Sequence, residues 1–147
     1  MVWAQTNLSQ NGDFETPASS GLTCFQNTIS GSWTSFGPGG NLGSCFVLSG
    51  YTGSGLTFPS SRSGAQLMLV NNQEFVGTKI AQNVSLVAGT SYQLTFSMSG
   101  VDGDTTVPSL SVALAGVGSQ SFTAAAAASW ADKTWTFVPT SSGFVIL

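Results

Sequence analysis

The chain has 147 residues, of which 41% are apolar and only 6% are charged, with a net charge of −3 and no histidine. Its three cations are too few to neutralise a run of phosphates, which argues against nucleic acid as a partner. No apolar run reaches the roughly 18 residues that a membrane span needs. The length predicts one domain over residues 1–147, and the many aromatic residues argue against disorder.

Short segments of alternating apolar and polar residues predict an all-β chain, because turns rich in Gly, Pro, Asn and Asp separate them. This spacing is typical of a β-sandwich with antiparallel strands. The run of five alanines at 124–128 is too short for a stable helix and is predicted to form a turn or a single helical turn. In chain order, we predict strands at residues 8–9, 23–27, 32–36, 45–49, 66–70, 79–86, 91–99, 109–114, 120–123, 133–138 and 144–147.

The clearest alternation lies in residues 80–99. Apolar and polar residues alternate from Ile80 to Leu86 and again from Tyr92 to Met98, and a turn that contains Gly89 joins the two runs. We interpret this segment as a β-hairpin at the centre of the sandwich, with one packed face and one wet face. Gln82 is a polar candidate for sugar binding, but it falls on the packed side of its strand, and the alternative is that its amide satisfies buried backbone.

Cys24 and Cys45 are the only cysteines, and neither has a cysteine or histidine neighbour that would make a zinc site. They either form a disulfide or lie as two small apolar residues in the core. We favour the disulfide, which would stabilise the fold by about 3 kcal/mol for a loop of this length.

Several short motifs follow one another along the chain: NGDFE at 11–15, GSW at 31–33, GAQLML at 64–69, IAQNV at 80–84, AGTSYQLTF at 88–96, and WTF at 135–137 after Trp130. In order and spacing they resemble the galactose-binding-like domains, in particular the carbohydrate-binding modules attached to xylanases and laminarinases. The resemblance spans most of the chain. It implies an antiparallel jelly-roll β-sandwich that binds carbohydrate.

In that family, the segment matching 11–15 often helps to hold a structural calcium ion. The resemblance therefore makes Asp13 and Glu15 the candidate metal ligands, and no other cofactor is expected. The alternatives are a turn residue for Asp13 and a surface acid for Glu15.

The family also has one more strand beyond the apolar segment 144–147. We expect a neighbouring subunit or a partner's strand to complete that edge of the sheet, because an uncovered apolar edge invites pairing.

Without histidine, neither a Ser-His-Asp nor a Cys-His arrangement can form, and no pair of carboxylates has surroundings that would tune one as an acid. We therefore predict that the chain is not an enzyme.

Neutral sugars bind to flat apolar faces with hydroxyl and amide groups nearby. Phe36 and Tyr51 lie in a Gly-rich loop region and are the preferred candidates, followed by Trp33, Asn71 and Asn72. For Trp33 the alternative is a place in the core.

Together these observations predict a non-catalytic module for neutral polysaccharide or glycan, located extracellularly or on the surface of a virion or other particle. The alternative is a structural assembly protein on the same fold, such as a capsid, minor capsid or surface-appendage subunit.

Overall fold

The computed structural model describes residues 7–25, 28–29, 33–36, 44–53, 55–70 and 78–146. Within them the chain is all-β and has no helix, as the alternation predicts. The strands are β1 (Leu22–Phe25), β2 (Thr28–Ile29), β3 (Trp33–Phe36), β4 (Ser44–Leu48), β5 (Thr52–Gly53), β6 (Leu56–Thr57), β7 (Gln66–Val70), β8 (Lys79–Leu86), β9 (Tyr92–Met98), β10 (Ser109–Leu114), β11 (Gly118–Thr123), β12 (Ala131–Phe137) and β13 (Gly143–Ile146).

The strands form small antiparallel sheets. One sheet has the order β1-β4-β7 and another has the order β13-β8-β3-β2, while β9 pairs with β12, β10 with β11, and β5 with β6. Three elements depart from the prediction. Residues 8–9 are not a strand, residues 28–29 form the unpredicted strand β2, and the Gly-rich region predicted as loop contains β5 and β6. Of the two alternatives for the alanine run, the helical turn is absent and the segment forms bends.

The predicted hairpin over residues 80–99 is wrong, although both of its strands exist. β8 pairs with β3 and β13, whereas β9 pairs with β12. The turn between β8 and β9 therefore carries the chain from one sheet to another. The two apolar faces meet across the interior, where Val84 and Leu86 of β8 pack against Tyr92 of β9. Alternation specifies which face of a strand is buried, and facing sheets satisfy that requirement as well as neighbouring strands do.

Two apolar clusters lie on opposite faces of β4, whose residues Ser44 to Val47 are all buried. On one face, Phe46 packs with Trp33 of β3. On the other, Cys45 and Val47 pack with Leu67 of the neighbouring strand β7 and with a layer that the chain folds over them, comprising Phe58, Tyr51, Leu56, Val101 and Trp130. β4 is thus covered on both sides, which agrees with its sequence SCFVL, since continuous apolar runs are typical of strands buried on both faces.

Cys24 and Cys45 lie directly opposite each other in the β1–β4 ladder and are joined by a disulfide. The predicted bridge is therefore confirmed. It ties the edge strand β1 to the buried strand β4.

The segment before β1 is held to the sheets by side chains. Gln82, 3% exposed, accepts a hydrogen bond from the Gln10 amide at 2.9 Å and donates one to the Gln10 carbonyl at 2.8 Å. Gln66, also 3% exposed, donates to the carbonyls of Phe14 and Pro17 and accepts from the Ser19 amide. Of the two possibilities for Gln82, sugar binding or contact with the backbone, the structure shows the second. These amides take the place of ladder hydrogen bonds for a segment that forms no strand.

Candidate functional site

The ribbon formed by β9 and β12 has one mainly apolar face, on which Lys133 is the charged residue, and one polar face. Its inner face carries Tyr92, Trp135 and Phe137, which pack against the Val84–Leu86–Leu114 cluster. Its outer side, which we call the polar face, consists of three cross-strand pairs, Gln93 with Thr136, Thr95 with Thr134, and Ser97 with Asp132. All six are exposed except Ser97, which is half-buried.

An open depression of about 370 Å³ lies along this ribbon. Four members of the polar face line it, and Phe96 and Lys133 complete the lining. The position of the ribbon's inner face is supported by the edge-to-face contact of Phe96 with Phe122 of β11, with ring centroids 5.1 Å apart. The depression therefore presents hydroxyl groups on a support of two paired strands.

Asp132 is the electrostatic centre of the depression. The Ser97 hydroxyl donates to its Oδ1 at 2.6 Å, and Arg62 reaches it with two nitrogens, Nη1 to Oδ1 at 3.0 Å and Nη2 to Oδ2 at 3.3 Å. The hydrogen bond from Ser97, followed by the positive charge of Arg62, lowers the pKa of the Asp132 carboxyl against an opposing effect of desolvation. Both members of the ion pair remain open to water, with side-chain exposures of 49% for Arg62 and 66% for Asp132.

Arg62 reaches Asp132 because its loop is fixed at both sides. Phe58 and Pro59 precede it and are buried, and the indole of Trp130 donates to the Ser60 carbonyl at 2.7 Å. The Ser61 hydroxyl then closes the loop onto the Gly64 carbonyl at 2.8 Å. Trp130 directly precedes β12, so the same contact sets the position of the loop against Asp132.

The aromatic residues predicted to bind sugar do not come together. Trp33 is 6% exposed in the core, and its indole nitrogen donates to the carbonyls of Gln10 and Asn11 at 3.0 and 3.2 Å. Its assignment to a sugar site is therefore corrected, because a buried ring offers no face to a ligand. Tyr51 is half-buried and lies 6.1 Å from the Phe58 ring, in the layer that covers β4.

Phe36 is the predicted aromatic residue that stays accessible, with 49% of its surface exposed at the end of β3. It lies opposite Lys79 in the β3–β8 ladder and does not line the depression. Asn71 and Asn72 lie outside the described residues.

The two candidate calcium ligands serve the backbone. Both carboxylate oxygens of Glu15 accept from the Ala65 amide at 3.1 Å, and Oε1 also accepts from the Gln66 amide at 3.2 Å. Asp13 accepts from the Glu15 amide at 3.4 Å, as a turn residue does. Within the described ranges, no group of three or more carboxylate, cysteine or histidine side chains is placed to hold a metal ion.

The predictions from sequence missed Arg62, Ser97, Asp132, Thr95 and Thr134 as site residues. The alternation in β9 and β12 marks one face of each strand as polar, and this pattern could have indicated Thr95, Ser97, Asp132 and Thr134 as candidates. Arg62 and Asp132 are 70 positions apart, however, and no local pattern links them.

The described part of the chain has no helix that could cross a membrane. Comparisons with protein-family models, with curated proteins and with solved structures find no match for this chain.

Proposed function

We propose that the chain is a non-catalytic carbohydrate-binding module with a jelly-roll sandwich, exposed on a cell or particle surface, and that it binds neutral polysaccharide at the depression on the β9–β12 ribbon. The observation that carries the proposal is the polar face itself, where hydroxyl side chains surround an open concavity above a packed apolar core.

The chemistry of the depression favours a neutral, hydroxyl-rich ligand. Its hydroxyls both donate and accept hydrogen bonds, which is the property that sugar hydroxyls require of a partner. The charge of Arg62 is compensated by Asp132, so the ion pair itself has little net attraction for an acidic polymer, although Lys133 adds a positive charge to the lining. The disulfide supports an extracellular location, since such bonds persist in oxidising compartments.

Affinity electrophoresis through xylan, β-glucan and mannan gels tests the proposal. The chain should be retarded, and the retardation should change little with salt because a neutral ligand is not screened. Replacing Thr95 and Thr134 together by valine should weaken retardation while the strand shape is kept. Thr123→Val, at an exposed position on β11, is the matched control and should be retarded like the native chain.

Two results would count against this assignment. Phe36→Ser would abolish retardation if the ligand instead stacked on the predicted aromatic residue. A native chain that migrates freely in all three gels would exclude neutral polysaccharide binding.

The edge position of β13 favours a second candidate, a structural assembly protein. β13 pairs with β8 on one side and stands at the end of the four-stranded sheet, and its sequence GFVI carries no charge. Edge strands of lone domains are commonly guarded by charged residues or proline. An assembly subunit should form oligomers in light scattering and should show slow amide exchange in β13 only in the oligomer. A stable monomer at high concentration with protected β13 amides would exclude this function.

A further inference from the structure

The Arg62–Asp132 ion pair restricts the choice of ligand more than the hydroxyl groups around it do, because its free donors and acceptor have definite positions. The carboxylate of Asp132 has about four acceptor positions, and Ser97 and the two Arg62 nitrogens occupy three of them. An acceptor position on Oδ2 is left. Arg62 has five N–H donors, and those not directed at Asp132 are available at a half-exposed side chain.

A free acceptor and free donors therefore lie side by side. Two neighbouring hydroxyls of a sugar ring match this arrangement, because one can donate to Asp132 while the other accepts from Arg62. Hydrogen bonds to charged groups are about twice as strong as those between neutral groups, so this pair outweighs the surrounding threonines. The ion pair has no net charge, so it gives neither an anionic nor a cationic ligand a net attraction.

We infer that Arg62 and Asp132 bind a vicinal diol of a neutral sugar, and that they select polysaccharides whose linkage leaves two adjacent ring hydroxyls free. This inference rests on the proposed carbohydrate-binding function.

The support of the pair fits this role. The Ser97 hydroxyl fixes the carboxylate, and the loop that carries Arg62 is pinned through Ser60 to Trp130. A diol would thus meet groups that are already oriented, which reduces the entropy lost on binding.

Linkage chemistry provides the first test. Xylan and mannan, linked through carbon four, leave the hydroxyls on carbons two and three free throughout the chain. Laminarin is linked mainly through carbon three, so that inside its chain no two free ring hydroxyls are adjacent. The native chain should be retarded by xylan or mannan gels with a dissociation constant at least about tenfold lower than in laminarin gels, the factor expected for one charge-assisted hydrogen bond.

Substitutions provide the second test. Asp132→Asn puts an amide that can donate where the free acceptor was, and Arg62→Gln removes the guanidinium. Each should weaken binding to xylan or mannan by about tenfold and should reduce the preference over laminarin. Asp104→Asn is the matched control, because it removes the same charge from a turn while an oxygen can still accept from the Thr106 amide. Each variant should remain folded, with a melting temperature close to that of the native chain, since both partners of the pair are exposed.

The possible outcomes distinguish a failure of the diol assignment from a failure of the proposed carbohydrate-binding function. Equal retardation by laminarin and xylan, or native affinity in folded Asp132→Asn, overturns the diol assignment and leaves carbohydrate binding in place. A native chain that no gel retards overturns both. Selective retardation that Asp132→Asn and Arg62→Gln lose, and Asp104→Asn keeps, supports the assignment.

Discussion

The surroundings of strand β4 and the β9–β12 ribbon both contain glutamine side chains, but these side chains are buried near β4 and exposed on the ribbon. Around β4 both faces of the sheet are covered, so the glutamines nearby are buried and bound to backbone groups of the segment before β1. On the ribbon only the inner face is covered, and Gln93 and its neighbours stay exposed. The difference shows that the number of covered faces decides whether a polar residue supports the fold or remains free for a ligand.

The largest expected effect on the free energy of unfolding comes from truncating a buried phenylalanine, compared with an exposed one. Phe46→Ala should destabilise the fold by about 3–5 kcal/mol, because a fully buried ring leaves a cavity between β3 and β4. Phe36→Ala, whose ring is half exposed, should change the free energy of unfolding much less. Urea unfolding of both variants measures the contrast, and equal losses would contradict the burial of β4 described above.

An intermediate effect is expected for the glutamines of the two regions. Gln82→Leu keeps the side-chain volume but removes the two hydrogen bonds that the Gln82 amide makes with the Gln10 backbone, which should cost about 1–3 kcal/mol. Gln93→Leu on the polar face should change stability by less than about 0.5 kcal/mol. If the two substitutions cost the same in urea unfolding, the segment before β1 is not held by Gln82.

The smallest effect concerns the pH dependence of the exposed pair. The pKa of Asp132 is lowered in the folded state, so its contribution to stability is present above the pKa of the unfolded chain and is lost as the pH falls through the folded pKa. The loss should therefore begin below roughly pH 4, the usual range of an aspartate. Native protein and Asp132→Asn should differ slightly in melting temperature at neutral pH and converge in acid. A difference that grows as the pH falls would have the wrong sign for this pair.

The candidate site was predictable only in its parts. The polar sides of β9 and β12 follow from alternation, yet their union into one face required the pairing of two strands that are more than thirty residues apart along the chain. For the aromatic residues, the sequence did not show which of them are buried. Phe36 and Trp33 lie on one short strand, and their spacing places Trp33 inward and Phe36 outward, but nothing local shows which direction is inward.

By itself the sequence determined the β class, most strand positions, and the side of each strand that seeks the core, because these depend on the alternation of neighbouring residues. It also left Cys24 and Cys45 as the one possible pairing of cysteines. Only the tertiary structure decided which strands are neighbours, that β8 and β9 face each other across the interior, and that Arg62 meets Asp132. Backbone hydrogen bonds are chemically the same for every strand, so the choice of partner depends on how distant apolar faces pack together.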